Sequence, residues 1–336
     1  MLNNYYVKRT LRVVVTIWAV VSFTFALIRL LPGGPMVQMR ARLVQQGYSP
    51  SQIEALMETY TKVNPDQPLY VQYIDYMGSL LQLNMGDSIS KSRTVEAIIG
   101  GALPWTVLVA VSSVILIFAI AITWGAVMAY WEGTRFDVVS SAISILLSAI
   151  PFYVLGMLLV IFLGYEMGWF PVRYRISNEL AGEPLSVKFV IDALHHAALP
   201  ILSMAISGAG LQALAMRGNS ISILGKDYVE VARLRGLSDR RIAITYVARN
   251  AILPMYTGFL TLIAFYLGGT VIIEEIFTYQ GIGYYMFQAL EARDYPLMMG
   301  VFIIITTALV LSVYIADLTY GMIDPRIKSG DSSEAY

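Results

Sequence analysis

Residues able to do chemistry are sparse in this sequence, and their spacing builds no catalytic centre. The two histidines, His195 and His196, are adjacent. Neighbouring positions on a helix point in different directions and make a poor metal chelate, so a capped or interfacial helix start suits them better. Cysteine is absent, which excludes a disulfide scaffold and a thiolate metal site. No Ser/His/Asp nucleophile arrangement, paired catalytic carboxylates or basic nucleic-acid stripe emerges, and no G-x-x-x-x-G-K-[ST] phosphate loop occurs. What stands out instead is docking chemistry in the stretch 217–254. Asp227-Tyr228-Val229-Glu230 reads as a capping box that starts a short helix. Arg233 and Arg235 fall in its last turn, where positive charge suits the helix dipole. Gly236 supplies a left-handed C-cap, and Ser238 begins the next helix. The reading is a short, rigid helix capped at both ends, with Val229, Ala232 and the Tyr228 ring as its buried contact to a partner and the two arginines as a polar rim.

The elements that must hold this helix are membrane spans. Hydrophobic residues make up 57% of the 336, and charged residues only 14%, against about 25% charged in ordinary soluble domains. Six stretches reach the roughly 20 mostly apolar residues a spanning helix needs: Leu11–Leu31, Leu103–Trp131, Val138–Tyr165, Leu199–Met216, Ala251–Ile273 and Tyr295–Tyr320. The expected class is an all-α integral membrane protein with about six transmembrane helices. The first apolar run is longer than a signal-peptide core, and no small-residue cleavage site follows before Pro32, so it is read as a span.

Lys and Arg accumulate on the cytoplasmic side. With the N-terminus inside, the inner segments hold thirteen basic against eight acidic residues, and the outer ones ten against fourteen. Both termini are therefore expected in the cytoplasm. The segment 32–102 then lies outside, and is read as a small folded cap rather than an independent binding domain. Ser49-Pro50-Ser51-Gln52 predicts a capped helix with Ile53, Leu56, Met57 and Tyr60 on one face. Val71, Ile74 and Leu81 suggest a second amphipathic piece. Glu274, Glu275, Arg293 and Asp294 are candidates for an outer mouth facing a receptor or substrate. Asp317, in the last turn of the final span, is a functional candidate as an intramembrane acid; its nearness to the inner face favours a structural ion pair.

These residues carry a family resemblance. Tyr228-Val229-Glu230-Val231-Ala232-Arg233-Leu234-Arg235-Gly236-Leu237-Ser238 resembles the "EAA" loop of ABC importer permeases. Arg249-Asn250-Ala251-Ile252-Leu253-Pro254 is similar to the "RNA-x-x-P" ending of the oligopeptide/dipeptide/nickel branch. Gly268-Gly269, Glu274, Phe277, Gly281-Ile282-Gly283, Arg293-Asp294-Tyr295-Pro296 and Asp324-Pro325-Arg326 match as well. So do Leu30-Leu31-Pro32-Gly33, Asp66-Gln67-Pro68, Val71-Gln72-Tyr73 and Leu103-Pro104 nearer the start. The likeness runs almost end to end and fits the first-permease type. The chain departs from the family pattern at Gly34, Val231 and Gln280.

The resemblance implies a type I ABC importer transmembrane domain with an extracytoplasmic region after the first helix. Residues 1–102 would form the first span and that region, 103–325 the permease domain with its coupling loop at 217–254, and 326–336 a cytoplasmic tail. Implied partners are a second homologous permease, two ATP-binding subunits, an extracytoplasmic substrate-binding protein and the lipid bilayer of a prokaryotic cell, with no nucleic acid. The chain itself would hold no cofactor and catalyse no reaction; ATP and Mg would sit on the ATPases. The coupling residues would be Tyr228, Val229, Glu230, Ala232, Arg233, Arg235 and Gly236. Peptides are the default cargo, with oligosaccharides or nickel as alternatives within the family. An ion-coupled secondary transporter, the rival of another class, is expected to show internal repeats and intramembrane ionisable groups; neither is evident apart from Asp317.

Overall fold

A computed structural model describes residues 2–30, 35–61, 67–180, 182 and 185–323. Gly34, Asp66, Asp324, Pro325 and Arg326 lie outside the described residues, as does the side chain of Asp317. Among the described residues the secondary structure is helical, apart from one isolated bridge between Asp87 and Thr94. Four helices are long and apolar enough to cross a membrane, and six spans result if each of two bent pairs counts as one. The chain divides into two compact units, residues 1–106 with 280–336, and residues 107–279.

In the first unit, α1 (Leu2–Leu30) packs on α13 (Tyr295–Ile323), with Thr10 and Tyr314 sharing a 2.7 Å hydrogen bond. Helices α2 (Pro35–Gln45) and α3 (Pro50–Thr61) form a hairpin around Met39, Leu43, Ile53 and Met57. The Ser49 box forms as the sequence predicts: Gln52 N–H donates to Ser49 Oγ at 3.4 Å, and Ser49 N–H donates back to Gln52 Oε1 at 2.9 Å. Helix α4 (Leu69–Leu81) does not use the expected face, since Ile74 and Leu81 are exposed. It is anchored to α1 through aromatic and polar groups instead: Tyr73 bonds Ser22 at 2.7 Å and meets the Phe25 ring edge-on at 5.4 Å. Hydrophobic periodicity cannot register that choice, because tyrosine and serine carry the contact. A second core joins Val95, Ile98, Ile99 and Ala102, at the start of α5 (Val95–Tyr130), to α12 (Ile282–Ala292) and α13. Gly300 permits this approach, because a Cβ there would collide with Val95.

In the second unit, the third apolar stretch is broken. Helix α6 (Arg135–Ala149) stops at Ile150, and α7 (Phe152–Leu159) continues as a π-helical turn to Glu166, bent by 92° from α6. Pro151 causes the break: it cannot donate to the helix ladder, and it pushes the preceding Ile150 into extended geometry at φ −84°, ψ 118°. The carbonyl of Ile150 is recovered by Ser207 Oγ of α8 (Val187–Leu224), which donates at 2.6 Å. Helices α6 and α8 approach closely where Gly210 lies against the backbone carbonyl of Ser144. A short α9 (Asp227–Leu234) and α10 (Asp239–Arg241) follow; a π-helical stretch, Ile242–Ala248, leads into α11 (Arg249–Ile276).

Candidate functional site

The element between α8 and α11 is built from local rules. Helix α9 starts one residue earlier than the sequence pattern indicates. Lys226 is the extended N-cap, at φ −87° and ψ 142°, and contributes no side-chain cap. Asp227 therefore occupies the first helical position and Glu230 the fourth, so the reciprocal capping box does not form; Glu230 is one residue too far along to reach back. Both carboxylates still lie in the first turn, where negative charge suits the helix dipole. The C-terminus forms a Schellman motif. Gly236 adopts φ +73°, its N–H donates to Arg233 O at 2.9 Å, and Leu237 N–H donates to Ala232 O at 3.3 Å. Among the described residues, no atom beyond its two chain neighbours lies within 4 Å of a Cβ placed on Gly236.

The helix has two faces, and they are assigned differently from the sequence expectation. Val229 and Ala232 are fully buried, packed inside this same chain against Ile242 and Val247. Ile223 and Leu224 of α8, together with Leu237 and Tyr246, close that small core. Val229 and Ala232 are consequently not available to a partner. The opposite face carries Tyr228, Val231 and Leu234, spaced three apart, with exposures of 44%, 51% and 82%. Glu230, Arg233, Arg235 and Gly236 are exposed around it. The sequence held this signal, since positions 228, 231 and 234 share a helical face, but positions 229 and 232 share another. Periodicity alone does not say which face turns inward. Val231, one of the departures from the family pattern, and Leu234 are the residues that reading missed.

Ion pairing fixes the flanking helices. Arg217 of α8 donates from Nε and Nη2 to the two oxygens of Asp137 on α6, at 2.6 and 2.7 Å. Asp137 also accepts from Gly133 N–H at 3.0 Å. Asn219 of α8 reaches the carbonyl of Ala251 on α11 at 3.4 Å.

The four mouth candidates fall into different environments. In the second unit Glu274 is completely buried near the end of α11, and Glu275 is half-buried. The adjacent Tyr279 is also fully buried, its phenol held above the ordinary tyrosine range by burial and by the neighbouring Glu274 carboxylate. Glu274 is thus enclosed by protein and presents no carboxylate to an aqueous mouth. In the first unit Asp294 is likewise fully buried. It accepts from Ser88 Oγ at 2.6 Å, Ser90 N–H at 2.8 Å and Ser90 Oγ at 2.7 Å, and caps α13 by accepting from Leu297 N–H at 3.2 Å. Asp294 is a structural anchor. Arg293, beside it, is exposed.

The histidine pair is held by backbone. His195 Nε2 lies 3.0 Å from Trp169 O, and His196 Nδ1 lies 2.9 Å from Asp192 O. Among the described residues no cluster of three or more His, Cys, Asp or Glu could hold a metal ion.

Comparison with known proteins accounts for this arrangement. Residues 121–329 match the family described as "Binding-protein-dependent transport system inner membrane component". The oligopeptide transport system permease protein AppB of Bacillus subtilis (strain 168) is 31% identical over 326 residues, which cover 96% of this chain and 99% of the relative. The inner membrane ABC transporter permease protein YejB of Escherichia coli O157:H7 is 30% identical, over 97% of this chain and 99% of its own. The di/tripeptide transport system permease protein DppB of Pseudomonas aeruginosa (strain UCBPP-PA14) is 30% identical, over 93% and 95%. With its apolar spanning helices and its capped helix between α8 and α11, the chain belongs to the family of binding-protein-dependent transport system inner membrane components, as a multi-pass permease subunit of an ABC importer.

Proposed function

We propose that this subunit forms half of the translocation pathway for short peptides, and that α9 is the element through which separate ATPases drive it. One observation carries the reading. A helix held rigidly by its own chain turns Tyr228, Val231 and Leu234 outward, beside Glu230, Arg233 and Arg235. Single exposed apolar residues need no explanation, but a rigid stripe of three rimmed by charge fits a protein groove. The partners are a second homologous permease, two ATP-binding subunits that hold ATP and Mg, and an extracytoplasmic substrate-binding protein. Peptide cargo rests on the relatives named for oligopeptide and di/tripeptide transport.

The orientation follows from the basic residues: both termini and α9 lie in the cytoplasm of a prokaryotic cell, and residues 32–102 lie outside. Because the chain has no cysteine, single cysteines report the topology directly. An impermeant maleimide applied to intact cells should label a cysteine at Gln46 and spare one at Ser238. The reverse pattern overturns the orientation, and with it the assignment of α9 to the ATPases.

A further inference from the structure

The α2–α3 hairpin and the α12–α13 junction line an open cleft of about 720 Å³ in the first unit. That volume is typical of a small-molecule site, and its wall is chemically mixed. Arg42 and Arg293 line it with Glu291, the side-chain amides of Gln45 and Gln46, and Tyr60. Its geometry is fixed from two sides. Arg42 Nη1 donates to the carbonyl of Ala292 at 3.1 Å, and Tyr295 OH donates to Gln38 Oε1 at 2.7 Å. Arg293 is held at φ +54°, a left-handed conformation that glycine fits at lower cost. The buried Asp294 anchors its backbone there. Among the described residues, neither Arg293 nor Glu291 makes a side-chain hydrogen bond or ion pair. Both side chains are exposed at this cleft, where a guanidinium and a carboxylate can meet a ligand directly.

We propose that this cavity is a second, low-affinity site for a short zwitterionic peptide, which rests on the peptide-cargo reading above. The complementarity is group by group. Guanidinium groups such as Arg42 and Arg293 pair with a C-terminal carboxylate through parallel N–H donors. Glu291 takes the terminal ammonium. The primary amides of Gln45 and Gln46 each offer a donor and an acceptor to peptide backbone. Because the amide contacts and the termini are common to all peptides, the site selects free ends rather than side chains.

The test uses the full chain in nanodiscs with one cysteine, Val44→Cys, carrying an environment-sensitive fluorophore. Val44 is 59% exposed and lies on α2 next to the cavity without lining it. Trialanine should give a saturable signal, and trialanine amide or N-acetyl-trialanine should bind at least tenfold more weakly. Arg293→Gly should lose tenfold or more in trialanine affinity while relieving the backbone at this position, so the loss cannot be ascribed to misfolding; Arg42→Gln should lose a similar factor. Equal titration by trialanine and its amide, or unchanged affinity in Arg293→Gly, overturns the proposal. Calorimetry on the purified binding protein separates this inference from the cargo reading. A binding protein that takes peptides beside a silent cavity refutes the cavity alone; one that takes only sugar oligomers refutes the cargo reading, whatever the cavity does.

Discussion

Replacing Leu234 by serine isolates the outward face of α9. The side chain is 82% exposed, so its loss removes almost nothing from the fold, and stability should change by less than about 0.5 kcal/mol. If that face enters a groove on an ATPase, nearly all of the leucine surface is still to be buried on assembly. Full burial of a leucine contributes roughly 1.5–3 kcal/mol, so serine should weaken association by about 1–2.5 kcal/mol. At about 1.4 kcal/mol per decade, that is roughly a five- to sixtyfold rise in Kd. Val229→Ala on the opposite face should behave in the other sense. Val229 is fully buried against Ile242 and Val247, and two lost carbons plus a cavity cost about 2 kcal/mol of local stability. The assay is biolayer interferometry of the detergent-purified permease pair against its ATPases, with thermal unfolding as the control. Wild-type ATPase affinity in Leu234→Ser, alongside a loss in Val229→Ala that exceeds its destabilisation, would refute the assignment of faces.

Gly236→Val should strain the left-handed C-cap by roughly 1–2 kcal/mol. Since a Cβ there meets no other side chain among the described residues, a larger loss of ATPase-coupled transport is expected to report the partner; substrate-stimulated ATP hydrolysis measures it. Arg217→Leu should destabilise the permease by roughly 3–5 kcal/mol, because it leaves Asp137 buried and unpaired, and Asp137→Leu added to it should recover much of that; thermal shift in detergent reads both. Gly210→Ala should lower the melting temperature too, as its methyl would collide with the Ser144 backbone at the α6–α8 approach.

What the sequence makes legible here are features set by a few neighbouring residues. Ser49 and Gln52 specify their capping box because both partners lie within one turn. Gly236 specifies a helix end because no other residue adopts φ +73° so cheaply. Asp227 shows the limit of the same logic: a cap shifted by one residue converts an apparent capping box into two first-turn charges. The bend at Pro151 carried a visible signal, but hydropathy averages over it, since the residues on both sides stay apolar. Faces and burial were the least legible. Glu274 and Asp294 read as charges at a mouth, yet both are enclosed; their environment is set by segments distant in sequence, as with Ser88 and Ser90 around Asp294. The cavity behind Arg293 could not be foreseen, because Arg42 arrives from a helix 251 positions earlier in the chain.

In the proposed docking role, the inward assignment of Val229 and Ala232 would make α9 a more effective lever than a helix whose apolar face belonged wholly to a partner. A docking helix free to pivot on its flanks would absorb a push from an ATPase in its own loops. Here Val229 and Ala232 lock α9 to the C-terminal end of α8, through Ile223 and Leu224, and to the π-helical approach to α11, through Ile242 and Val247. Displacement of the Leu234 face must therefore move α8 and α11 together or break a core. Asn219 ties those two helices to each other, and the Arg217–Asp137 pair carries the displacement on to α6. Helix α6 ends at the break before Pro151, where Ser207 of α8 holds the free Ile150 carbonyl, so α6 is fastened to α8 at both of its ends. The coupling of α9 to three of the apolar helices is a consequence of packing within one unit of the chain.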